Sequence, residues 1–199
     1  MTDWTLLGTV IHTQVHVDRM VNNGEYEHWK IAAPDRLWLG PDGVIGDIDG
    51  RAVLHAHHRL HPNKTRTENT KKFLPNRLLS FGFTGHTDLM AERFGEASVG
   101  CAAEDVIVDR PGQVRLADIA GGLQVRRGDR AIDFTNPMVA KPCVPFTKYL
   151  LKDQDAADEV VAPNRAFLEE GMRGFLVGLA DQTQVVDIAE GDELWARSG

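Results

Sequence analysis

Leu123-Gln124-Val125-Arg126-Arg127-Gly128-Asp129-Arg130-Ala131-Ile132-Asp133-Phe134 is the stretch that decides the fold class. Two short runs carrying β-branched or aromatic residues, Leu123-Gln124-Val125 and Ala131-Ile132-Asp133-Phe134, are separated by a glycine-aspartate pair, as strands punctuated by turns are. The same texture recurs at residues 4–11, 36–39, 104–108, 175–179, 184–188 and 193–196. Frequent short strands with glycine punctuation predict a barrel or sandwich built from β-hairpins. Helical signals are fewer. Residues 86–95 offer Thr87 as N-cap, Met90 and Phe94 four apart, and Gly95 just past the end. Residues 163–171 begin on Pro163 and stop at Gly171. A shorter helix near Pro145 would bring Phe146 and Leu150 onto one face. Residues 22–50 read as irregular, and no repeat or linker divides the chain. The expectation is one mostly-β domain over residues 1–199, a closed or partly open β-barrel with two or three peripheral α-helices.

The 199 residues carry 22 basic and 29 acidic side chains, a net charge of −7, with 42% hydrophobic and 26% charged residues. Chains of this make-up lie far from the low-hydrophobicity, high-charge corner of disorder. About 70% of the surface of a chain this size is buried on folding, so no covalent staple is needed. Two cysteines, Cys101 and Cys143, are too few for a disulfide framework and fit a reducing compartment. The N-terminus lacks the basic and apolar regions of a secretory signal, and no run of 18 apolar residues occurs. The expectation is a cytoplasmic protein that does not span a membrane. Its acidity also argues against a nucleic-acid partner, which needs a concentrated basic face.

Common catalytic signatures are missing: no G-x-G-x-x-G, phosphate loop, H-E-x-x-H or G-x-S-x-G occurs, and none of the three serines, Ser80, Ser98 and Ser198, lies on a nucleophile elbow. Cys143 sits in Lys141-Pro142-Cys143-Val144-Pro145, on a loop that the flanking prolines restrict. Lys141, or a helix starting near Pro145, would stabilise a thiolate there, as a nucleophile or soft-metal ligand; the alternative is a buried small hydrophobe.

Four of the eight histidines fall in His55-Ala56-His57-His58-Arg59-Leu60-His61. On a strand His55 and His57 share a face; on a helix His57 and His61 do. Either pair could supply imidazoles to a metal, yet no carboxylate spacing completes a ligand set, and a polar loop that contacts anions fits as well. His12 and His16 are a weaker pair of the same kind. Lys64, Arg66, Lys71, Lys72 and Arg77 oppose only Glu68, a basic concentration that either holds a phosphate or is a solvated loop.

Four segments in order resemble the molybdenum cofactor sulfurase C-terminal (MOSC) domain family. These are Val44-Ile45-Gly46-Asp47-Ile48-Asp49-Gly50; Gly100-Cys101-Ala102-Ala103-Glu104-Asp105-Val106, with Asp105 where the family has asparagine; the Gly128-Asp129 hairpin, leading to Asn136-Pro137 and Cys143; and residues 171–194, similar to the family's closing strands, which pair around a late Gly-Asp, here Gly191-Asp192. The first lacks the histidine or arginine that often follows the family's Gly-Asp pair. The resemblance covers roughly residues 40–195 and rests on the ordered set. It implies a barrel of the pyruvate-kinase-barrel type, and it aligns Cys143 with the family's functional cysteine.

The resemblance further implies a molybdenum pyranopterin bound through Cys143, or a sulfur carrier that uses Cys143 as a persulfide. Lys64, Arg66, Lys71, Arg77 and Lys141 would border the cofactor. The substrate would be an N-hydroxylated or N-oxygenated small molecule, and the protein partner a redox or sulfur-donor protein. The competing expectations are a lyase or hydrolase on the same barrel with a divalent metal on His55, His57 and His61, or a binding module with no cofactor.

Overall fold

The computed structural model describes residues 4–56 and 75–197. It opens with strands β1 (Trp4–Thr13), β2 (Val15–His16), β3 (Val21–Asn22), β4 (Glu25–Tyr26), β5 (Ile31–Ala32), β6 (Arg36–Gly40), β7 (Gly43–Ile48) and β8 (Arg51–Leu54). Then come β9 (Leu79–Phe83), α1 (Thr84–Phe94), β10 (Val106–Asp109), α2 (Leu116–Ile119), β11 (Leu123–Arg127) and β12 (Arg130–Val139). The chain finishes with α3 (Val144–Leu151), α4 (Asp158–Leu168), β13 (Phe175–Leu179), β14 (Val186–Ala189) and β15 (Glu193–Arg197).

The hairpin expected around Gly128-Asp129 forms as β11 and β12, with Leu123 opposite Phe134 and Arg127 opposite Arg130. Alternate residues of these strands, Leu123, Val125, Ile132 and Phe134, are buried, the period-2 pattern of a strand with one face on a core. The hairpin belongs to a closed barrel in the order β1-β10-β9-β13-β12-β11-β15, which β15 completes by pairing with β1. The two ends of the chain therefore meet, Trp4 opposite Arg197, as the barrel expectation required. Closure removes the exposed strand edges that would otherwise recruit other chains. Phe81, Phe83, Phe134 and Phe175 fill the interior with Leu79, Val106, Val108 and Val177. One pair, β9 with β10, is parallel, because α1 and the loop after it carry the chain back to the same end of the barrel.

Several local expectations change. Residues 22–50 are not irregular: β6 and β7 form a hairpin there, in a second sheet of order β14-β6-β7-β8. The strands flanking Gly191-Asp192 do not pair with each other, since β14 joins β6 and β15 joins β1 and β11. Helix α1 begins at Thr84 rather than after Thr87. Gly85 lies against the Gly112 backbone, where a Cβ would come within 2.1 Å of the carbonyl oxygen, so the helix grows straight out of β9. Pro163 lies inside α4 and does not start it; Asp158 and Glu159 occupy the first turn, where acids favour a helix N-terminus. Strand β12 runs past Asn136-Pro137 to Val139 by shifting register between Thr135 and Met138, the kind of irregularity that admits a proline. Helix α3 confirms the short helix near Pro145 and buries Phe146 and Leu150 together.

A second apolar cluster, including Met20, Tyr26, Met90, Phe146, Leu150, Leu168 and Met172, lies among the helices. Cys101, Ala102 and Ala103 belong to it, while Val106 and Val108 belong to the barrel core. Residues 100–105 thus occupy the seam between the two cores. Among the described residues no helix is long and apolar enough to cross a membrane.

Candidate functional site

Four successive carbonyls of the seam are each held by a side chain distant in sequence, three from residues 14–26 and the fourth from Arg173. The Gln14 amide donates to Gly100 O (3.0 Å), the Tyr26 hydroxyl to Cys101 O (2.9 Å), Arg173 Nη2 to Ala102 O (2.9 Å), and His16 Nε2 to Ala103 O (2.8 Å). Gly100 has φ +77°, and a Cβ there would come within 2.6 Å of the Gln14 side chain, so the position requires glycine. Ala103 also adopts the left-handed region, with φ 63°, a conformation that costs a non-glycine residue about 1–2 kcal/mol. Buried backbone oxygens need partners, and these four ties satisfy them while fixing the loop.

On the barrel side, three buried residues from distant parts of the sequence converge: His16 of β2, His55 just after β8, and Asp105 just before β10. One donor atom from each lies within 4.8 Å of the other two. His55 Nε2 is 3.0 Å from Asp105 Oδ1, and the two imidazole rings lie 4.2 Å apart at 36°. The other carboxylate oxygen, Oδ2, accepts from the Ser80 amide (2.8 Å) and the Ser80 hydroxyl (2.7 Å). The Ser80 hydroxyl in turn accepts from the Asp105 amide (3.0 Å). Serine and aspartate are therefore bonded to each other, while the carboxylate oxygen that faces the histidine has no hydrogen-bond partner among the described residues. That arrangement is unsuited to nucleophilic attack by Ser80, because no imidazole bonds its hydroxyl to take the proton. It is suited to holding one carboxylate oxygen still while the other faces imidazole.

On the helical side, Arg173 reaches from Ala102 to the carbonyl of Lys141 (Nη1, 3.0 Å), with its guanidinium 4.8 Å over the Phe146 ring. Cys143 follows two residues after Lys141 as the N-cap of α3, half-buried, with Pro145 in the first turn. Glu104 is fully enclosed; burial lifts its carboxyl to about 7, and Oε2 has no hydrogen-bond partner. It packs on Gly82, where a Cβ would come within 2.7 Å of the glutamate side chain. Burial, assisted by Glu104, pushes the Cys101 thiol up to about 12. Cys101 is thus a packed, protonated residue, and Cys143 is the more accessible of the two.

Of the residues singled out from the sequence, His16, His55 and Cys143 flank this seam, and exposed Lys141 adjoins Cys143. Arg77 ends a short turn that packs on β13 near Gly178, toward the opposite end of that strand from Phe175, which pairs with Val139. His57, His61, Lys64, Arg66 and Lys71 lie outside the described residues. Ser80, Glu104, Tyr26 and Arg173 carry no local motif. Their parts depend on contacts that span from 22 residues (Gly82 to Glu104) to 75 (Tyr26 to Cys101).

No protein-family model matches the chain, and no curated protein matches it. Among solved structures it is similar to the YuaD protein from Bacillus subtilis, with a TM-score of 0.54 at 13% identity over 100% of both chains. It is also similar to a hypothetical protein, with a TM-score of 0.53 at 14% identity over 98% of this chain and 70% of that one. Likeness at such identities establishes a shared fold and carries no activity with it.

Proposed function

We propose that the chain works as a MOSC-type barrel whose reactive group is the Cys143 thiol, binding a molybdenum pyranopterin or carrying sulfur for a small N-oxygenated substrate. The observation that carries this reading is the setting of Cys143. The thiol is half-buried at the N-terminus of an eight-residue helix, and Lys141 and Arg173 adjoin the same turn. The donor set fits a soft metal or a sulfane sulfur: one thiol for the metal, and cations for a cofactor phosphate. Arg173 Nε is buried without a hydrogen-bond partner, a donor still unspent beside the loop. When bound, the molybdenum group would supply two-electron chemistry, while Cys143 holds it and Lys141 bears on its anionic end. Buried Glu104, at about 7, would keep a proton available near neutral pH. Oxidoreductase or sulfur-transfer activity in the cytoplasm, with a redox or sulfur-donor protein as partner, accords with this reading.

The test combines elemental analysis and cyanide-releasable sulfur on freshly isolated protein with alkylation of the native chain, read by peptide mass. The expected results are molybdenum or labile sulfur lost in Cys143→Ser, and labelling of Cys143 well before Cys101 at pH 8. Preferential labelling of Cys101, or molybdenum or sulfur undiminished in Cys143→Ser, would remove Cys143 from the site.

A further inference from the structure

We infer that His16, His55 and Asp105 form a site for one first-row divalent transition-metal cation, distinct from the thiol and independent of the reading built on it. Two imidazoles and one carboxylate, from β2, the end of β8 and the start of β10, bring two nitrogens and one oxygen within 4.8 Å of one another in a buried setting. That set selects zinc, iron(II), cobalt or nickel. Calcium and magnesium ask for six or more oxygens, and copper(I) for sulfur. Three protein ligands leave at least one position for water or substrate, the open arrangement of a catalytic rather than a structural centre.

The surrounding bonds are those a metal centre needs. His16 commits its Nε2–H to the Ala103 carbonyl, which leaves its lone pair on Nδ1, and the left-handed turn at Ala103 is part of the loop that makes this bond. Asp105 has one oxygen anchored twice by Ser80, so the other is held toward His55. The His55 nitrogen lies 3.0 Å from Asp105 Oδ1, a buried oxygen with no hydrogen-bond partner among the described residues, which a cation held between them would satisfy. The two imidazole rings also touch each other, tilted at 36° with centroids 4.2 Å apart. The polar bonds that orient Asp105 and His16 come from residues outside the ligand set, which is how supporting groups around metal ligands act.

The experiment uses the full chain stripped with a chelator, titrated with cobalt(II) in the visible and with zinc by calorimetry, with circular dichroism confirming that each variant is folded. Expected are one equivalent of either metal, a ligand-field spectrum without a thiolate charge-transfer band, and no saturable binding of magnesium. Asp105→Asn, which keeps an oxygen for Ser80 to bond, lowers affinity about 100-fold or more, as does His16→Gln; Ser80→Ala lowers it about 10–100-fold. Should Asp105→Asn fail to fold, His55→Gln and His16→Gln carry the test. The site is overturned by a wild-type chain that binds neither metal, by undiminished affinity in the folded variants, by a thiolate band, or by binding lost in His57→Ala but kept in His16→Gln.

Discussion

Replacing Arg173 with methionine tests whether the loop at the seam is held from outside, as its geometry indicates. Arg173→Met keeps an apolar stem against Phe146 and removes two charge-assisted bonds, to Ala102 O at 2.9 Å and Lys141 O at 3.0 Å. The Ala102 bond is part-buried and is worth about 2 kcal/mol; the Lys141 bond is exposed and is worth about 1 kcal/mol. Loss of the cation from the Phe146 face, 4.8 Å away, adds about 0.5–1 kcal/mol. Against this, the variant no longer buries an Nε without a partner, which returns about 1 kcal/mol. The net loss is about 2–3 kcal/mol, or about 5–10 °C in Tm for a domain of this size. Urea unfolding measures it, with m unchanged if the denatured state is unaffected. Arg173→Lys should recover less than half, because one ammonium cannot span two carbonyls as the planar fork does. Cys101, next to Ala102, should also become alkylatable in the variant. A loss below about 0.5 kcal/mol, or full recovery by lysine, would show that the loop holds its shape without this tie.

Arg127 grips buried Asp192 with two bonds (2.5 and 2.8 Å) and Asp187 with a third (2.9 Å), joining the barrel hairpin to β14. Since Arg127 itself is 37% exposed, Arg127→Met should cost about 3 kcal/mol, the low end for a broken buried pair, whereas Lys152→Met, whose pair with Glu96 is open to solvent, should leave the urea midpoint nearly unchanged in the same assay. His86 is fully buried, and burial lowers it to about 4, with a bond to the Val114 backbone recovering only part. The unfolded chain therefore takes up that proton first, so stability present above pH 6.5 falls as pH drops toward 4, by about 3 kcal/mol. The difference between wild-type and His86→Gln stability curves across pH 4–8 should show that step, and parallel curves would refute it.

The barrel was legible because strand burial is a local, period-2 property: Leu123, Val125, Ile132 and Phe134 alternate with polar neighbours whatever the rest of the chain does. Helix α3 was legible for a similar reason, through the 146/150 spacing and Pro145 near its start. Cys143 stood out because prolines and a lysine flank it, and those flanks are sequence neighbours. Local cues failed where a tertiary contact outweighed them. Thr87 is a reasonable N-cap, yet α1 starts at Thr84 because Gly85 lies on the Gly112 backbone. The Gly191-Asp192 turn looks like a hairpin, yet its two strands separate into different sheets because β6 and β1 compete for their edges. The His16, His55 and Asp105 cluster lies beyond any local reading. Its members are 39 and 50 residues apart in sequence. The histidine run marks residues 55–61, but nothing near His55 in sequence names a carboxylate partner. His16, His55 and Asp105 sit at the ends of strands from three different sheets, so only the packing of those sheets against one another brings an ordinary aspartate and two histidines into one buried cluster.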